Sequence, residues 1–189
     1  RSDGYNKVEY LGDKYYEFDE NLRNELINLK EIINTPEDLK QFSERIKDIQ
    51  KKFTLFNSII VRQFITQIGI KLDLIGFHGQ TILHMPNKKI SLQIGDGNLL
   101  SQLSKCIVVN NFRKNDLIRG GQGAPLTPIF HYLISQKLYS NFGLTYPINI
   151  INIGGITNVS QIIDNKDLDK DIFAYDIGPG NCLIDEWIR

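Results

Sequence analysis

The chain has 189 residues, 41% of them hydrophobic, which is enough for one good core or two small ones. Its 22 Lys+Arg balance 22 Asp+Glu and no basic run stands out, which argues against a broad electrostatic grip on nucleic acid. No apolar stretch approaches the ~20 residues of a membrane helix, and "RSDGYNKVEY" lacks the apolar core of a secretory signal.

In chain order, Ser2 to Gly4 reads as a tight turn, flanked by "KVEYLG" and "KYYEF" as hairpin strands. "ENLRNELINLKEIIN" places Leu22, Leu26, Leu29 and Ile33 at helical spacing. "TPEDLKQFSERIKDIQKKF" is a second helix with Thr35 as cap, Pro36 in its first turn and Leu39, Phe42, Ile46 and Ile49 on its apolar face. A further helix carries Phe56, Ile60, Phe64 and Ile68 and ends near Gly69. From there the pattern becomes strand, loop, helix. "LDLIGF", "ISLQI" and "CIVV" are short strands, with a helix over Leu99 to Leu103 and another, capped by Thr127, over "TPIFHYLISQKLY". "INIINIGGITNVSQII" gives two strands around a glycine turn. "IFAYDIG" is the last strand, and "PGNCLIDEWIR" opens a helix. Strands ending in glycine and polar residues imply an α/β protein with its site along one sheet edge.

The polar loops carry the candidate chemistry. His78 and Gln80 sit beside glycines in "GFHGQT", where His78 is a site residue or a structural histidine and Gln80 and Thr81 serve equally as turn formers. Asp96 and Asn98 in "QIGDGN" either contact a ligand or form an Asx turn that caps the next helix. Asn110 and Asn111 follow the third strand, and an amide holds a ligand but takes up no proton near neutral pH. Arg113 and Lys114 suit a carboxylate or phosphate, or belong to a solvated turn with Asp116 paired to Arg113 or Arg119. "GGQGAP" offers further free backbone donors. Gly154 and Gly155 let N–H groups approach an anion, or close an ordinary hairpin. Asp176, ahead of Gly178 and Gly180, is placed to hold Mg²⁺ through water, orient a sugar hydroxyl or cap a turn. Cys106 and Cys182 match no metal or redox spacing, so a reducing, cytoplasmic setting is the default.

"GFHGQT", "LQIGDGN", "NFRKND", "GGQGAPLTPIFH", "NIGGITN" and "DIGPGNCLIDEWI" occur in one order from Gly76 to Ile188. In that order they resemble the anhydro-N-acetylmuramic acid kinases. The resemblance implies an actin-like ATPase (ribonuclease H-like) α/β fold, with residues 1–147 as a first domain and 148–189 as the opening of a second. It implies phosphorylation of the 6-hydroxyl of 1,6-anhydro-N-acetylmuramic acid with ATP and Mg²⁺, while water opens the anhydro ring to give N-acetylmuramic acid 6-phosphate in peptidoglycan recycling. On the sugar side it points to His78, Gln80, Asp96, Asn98, Arg113, Gln122 and Asp176. On the nucleotide side it points to Gly154, Gly155, Asn158, Gly178, Gly180 and Asn181, with no protein metal-ligand set. The partner it implies is the anhydro-amino sugar, with a homodimer or a complementary chain, and neither nucleic acid nor membrane.

Three departures qualify the expectation. The family's motif reads Asp-Phe-Arg-Arg-Arg-Asp, and its first Asp is the general base for the ring-opening water. Here that position is Asn111, with Arg113 and Asp116 matching, Lys114 a mild change and Asn115 in place of an arginine. The family also carries a Gly-Thr-Ser-x-Asp-Gly phosphate loop before the first hairpin and continues beyond "IDEWIR". The chain begins at Arg1, and its only methionine is Met85. It is therefore expected to be a fragment, with a non-catalytic remnant or a split-gene product as the alternative to an active kinase and no useful ATP affinity on its own. Asn111 is expected at the C-terminal end of a central strand, facing the same cleft as His78 and Asp176.

Overall fold

The computed structural model describes residue 2 and residues 7–188, a mixed α/β arrangement. The turn expected over Ser2 to Gly4 falls largely outside the described residues. Beside it, Ser2 and Val8 form an isolated antiparallel bridge, and residues 9–19 contain no strand. The two expected hairpin strands are therefore not formed. Tyr10 and Tyr15 stand 71% and 82% exposed, and an alternating pattern without further strands to pack on is too weak to hold a ladder.

Two compact units divide the chain, one of residues 11–124 and one of residues 1–10 with 125–189. In the first, α1 (Glu20–Ile32) starts where the Asp19 carboxylate accepts from the Leu22 N–H at 2.9 Å. Thr35 caps α2 (Pro36–Gln41) as expected, and it does so within a reciprocal capping box with Asp38. Its end differs from expectation. The helix breaks at Phe42, and α3 (Ser43–Ile68) then runs 26 residues without a second break. Phe42 adopts φ −101°, ψ 20° while Phe53 stays buried mid-helix, so the two expected helices are divided eleven residues too late. Gly69 ends α3 at φ +63°, as its position implies.

Four strands follow. β1 (Leu74–Phe77) pairs in parallel with β4 (Ile107–Asn110), Phe77 opposite Asn110. β2 (Gln80–Met85) and β3 (Ile90–Ile94) form an antiparallel pair around a 3-10 turn at Pro86–Lys88. β2 has no counterpart among the expected elements, and Gln80 and Thr81 open it instead of forming a turn. α4 (Gly97–Ser104) leads to β4, and α5 (Phe112–Ile118) follows it. Leu26, Leu29, Ile49, Phe53, Phe77, Ile82, Ile94 and Leu100 make the core of this unit.

In the second unit, α6 (Pro128–Phe142) packs on an antiparallel sheet of β5 (Ile148–Ile153), β6 (Ile156–Ile162) and β7 (Ile172–Pro179). α7 (Cys182–Ile188) follows. Pro128 sits in the first turn of α6 as expected, but Thr127 makes no side-chain cap: its backbone is already helical (φ −76°, ψ −15°), unlike the extended geometry of a capping residue. No helix among the described residues is long and apolar enough to cross a membrane.

Candidate functional site

β1 and β4 run parallel and side by side, so the residues just past them, His78 and Asn111, emerge at one end of the pair. Both line a cleft of about 410 Å³, walled on the other side by Ser91 and Gln93 of β3 and flanked by Lys89 and Lys114. None of the residues lining it is acidic. Two lysines, three amides and a hydroxyl give it donors and positive charge, the lining that suits a polar, anionic ligand.

Asn111 adopts φ +59°, ψ +39° at the start of α5, and its side chain caps nothing. Asn and Asp enter this left-handed region several times more readily than other non-glycine residues. The amide is exposed and free to face the cleft.

Gln80, Asp96, Asn98, Arg113 and Gln122 do not line the cleft. Asp96 Oδ1 accepts from the Leu99 N–H at 3.0 Å, the helix-capping alternative, and Asn98 is exposed in the first turn of α4. Asp96's own N–H donates to Thr54 Oγ1 (2.9 Å), and the Gly95 N–H reaches Gln50 Oε1 (3.4 Å), so two polar positions of α3 hold this loop. The Arg113 stretch is a helix, not a solvated turn. Asp116 faces neither Arg113 nor Arg119: its Oδ2 accepts from the Gly123 N–H at 2.6 Å. Arg113 Nη1 donates to Gly123 O at 2.7 Å. The expected free donors of "GGQG" are thus engaged, since the Gly120 and Gly121 N–H groups go to Leu117 O and Asp116 O.

The glycines here answer to internal sterics. A Cβ at Gly79 would run into the Ile94 carbonyl, and one at Gly97 into the Asn110 amide. At Gly95 it would lie 2.7 Å from the Phe77 ring. These residues bring the ends of β1, β3 and β4 together, which no local sequence signal announces.

Ser91 and Gln93, which line the cleft, are not among the expected site residues, and they are tied to Thr81 and His84 outside it. Gln93 Nε2 donates to Ser91 Oγ (2.6 Å) and Thr81 Oγ1 (3.3 Å), and His84 Nδ1 lies 3.0 Å from Ser91 Oγ. The alternation of "ISLQI" is the signal that places Ser91 and Gln93 on one face. Burial, then the nearby Arg113 charge, holds His84 below the usual imidazole value, opposed by a hydrogen bond with the Gln122 main chain. Burial likewise lowers His131, whose Nδ1 lies 2.7 Å from Ser160 Oγ.

Both histidines therefore bind fewer protons folded than unfolded. Their contribution is present above the ordinary value of about 6.5 and is lost as pH falls through the folded-state values. The melting temperature is expected to drop between pH 7.5 and 5.5, a window in which carboxylates stay ionised. A double variant, His84→Gln with His131→Gln, should drop less; an equal drop in both proteins would assign the effect elsewhere.

In the second unit, the loops at Gly154–Gly155 and Pro179–Asn181 are bonded to each other. The Gly180 N–H donates to Gly155 O (2.8 Å) and the Asn181 N–H to Gly154 O (2.7 Å). A Cβ at Gly180 would collide with Gly154 O, so that glycine serves the loop contact. Gly155 and Gly178 differ: neither has a left-handed φ, and a Cβ there meets nothing within 4 Å. Asn158 and Asp176 are register partners on β6 and β7, with Asp176 exposed. Among the described residues no group of three or more His, Cys, Asp or Glu is placed to hold a metal ion.

Residues 3–189 match the family profile described as anhydro-N-acetylmuramic acid kinase. The chain belongs to that family. A Pelagibacter ubique protein named anhydro-N-acetylmuramic acid kinase is 47% identical over 189 residues, all of this chain and 49% of its own length. The Agrobacterium fabrum protein of that name is 37% identical over all of this chain and 50% of its own length. The Paramagnetospirillum magneticum one is 42% identical over 75% of this chain and 38% of its own. The chain thus spans about half the length of the curated relatives it matches. The family is one of kinases, that is, phosphotransferases.

Proposed function

We propose that this sequence supplies the sugar-binding part of an ATP-dependent kinase acting on 1,6-anhydro-N-acetylmuramic acid, with ring opening to N-acetylmuramic acid 6-phosphate in peptidoglycan recycling. The observation that carries the reading is the acid-free cleft at the ends of β1 and β4, with His78 and Asn111 side by side and Lys89 and Lys114 on its walls. Family membership supplies the reaction; the lining supplies a place for an amino-sugar acid. With it go an actin-like fold, a domain division near residue 147, a cytoplasmic setting and a homodimer or complementary chain. The sugar contacts assigned to this chain are His78 and Asn111, joined by Ser91, Gln93 and the two lysines.

Gly155 and Gly178 fit a nucleotide phosphate, because their backbone is open to close approach and nothing internal requires glycine there. Asp176 is an exposed carboxylate suited to orient a sugar hydroxyl or to hold Mg²⁺ through water. ATP with Mg²⁺ supplies the phosphoryl group and neutralises its charge. Asn111 orients the ring-opening water through its amide but accepts no proton.

The reading is tested in a chimera that supplies the remaining half from the Pelagibacter ubique relative. Incubated with the anhydro sugar and ATP, it should bind the sugar and form the 6-phosphate only slowly. Sugar binding that survives Lys89→Gln with Lys114→Gln unchanged would remove the cleft from the proposal. A second reading, a sugar-binding remnant without turnover, is favoured by Asn111 together with the absence of any carboxylate lining the cleft.

A further inference from the structure

We propose that Arg113 is a positioning residue that holds the His78 ring in its Nδ1-protonated tautomer with the remaining lone pair engaged. His78 Nδ1 lies 2.8 Å from Gly79 O, and a carbonyl only accepts, so Nδ1 carries the proton. His78 Nε2 lies 3.2 Å from Arg113 Nε, and a guanidinium only donates, so Nε2 is bare. The two contacts agree on one tautomer.

Each partner is itself fixed. Gly79 is held at φ +72°, where a Cβ would run into the Ile94 carbonyl. Arg113 is anchored through Nη1 to Gly123 O, on the loop that Asp116 also grips. Arg113 therefore acts on the cleft through His78 and is not itself among the lining residues. With its bare nitrogen occupied, His78 offers a ligand its ring edge and no proton acceptor. The histidine nearest Asn111 in the cleft cannot stand in for the missing carboxylate. This inference holds whether or not the kinase reading does.

The test is long-range ¹H–¹⁵N correlation of the His78 ring in the labelled 189-residue chain near pH 8, repeated in the chimera. Nδ1 is expected in the protonated range and Nε2 in the bare range, shielded by its hydrogen bond. Arg113→Met should move the Nε2 resonance downfield or transfer the proton to Nε2. Arg113→Lys, which keeps a donor, should restore the native pattern in part. A wild-type spectrum with the proton on Nε2 overturns the proposal, and so do unchanged His78 signals in a folded Arg113→Met protein. Should the Met variant not fold, the wild-type tautomer alone decides.

Discussion

Asn111→Asp in the full-length chimera is expected to raise turnover of the anhydro sugar by about 10²–10⁴-fold, the usual worth of a positioned general base. The local structure is ready for the change. The residue sits at φ +59°, ψ +39°, a conformation Asp tolerates about as well as Asn, and its side chain makes no cap bond that the swap would disturb. The new carboxylate would enter a cleft whose charged lining is two lysines, which favours its ionised, proton-accepting form. Asn111→Ala should bring no gain, and sugar affinity should change far less than turnover. A chimera with Asp at 111 that is no faster than its Asn parent would falsify the assignment of the base to this position.

How far the sequence announced this arrangement depends on how local each cause is. The Thr35–Asp38 box, Pro36, the Gly69 terminus and the Asp19 start are written within four residues of where they act, and helical spacing picked out the core residues Leu26, Leu29 and Ile49. Asn111 and His78 were legible as a pair because each follows an apolar strand. Their shared cleft follows from the parallel pairing of those strands. Asp176 belongs to the other compact unit. Local cues failed where the cause lies across the fold. The glycines of "GFHGQT" and "QIGDGN" stand beside the candidate polar residues in the sequence, and three of them make room for Ile94, Phe77 and Asn110. α5 escaped notice because only Leu117 of its seven residues is buried, leaving no apolar stripe. β2 begins directly after a glycine turn, and nothing before Gln80 marks its pairing with Ile94.

The second large effect is expected at Gly79. Alanine there must hold φ +72°, which costs an L-residue about 1–2 kcal/mol. Its Cβ would also press on the Ile94 carbonyl, and a main-chain group of a paired strand cannot swing aside as a flexible side chain can. Overpacking of that kind adds about 1–3 kcal/mol. Any relief would pull Gln80 away from its partner Ile94 and shift the carbonyl that fixes His78, so stability and the cleft should suffer together. Gly79→Ala is therefore expected to lose about 2–5 kcal/mol in urea unfolding, with the His78 ring signals displaced. Gly155→Ala is the control, since open space and an ordinary φ should keep it within about 0.5 kcal/mol of the parent. If the two variants unfold at the same urea concentration, Gly79 is not the steric hinge between β1 and β3 that its geometry describes.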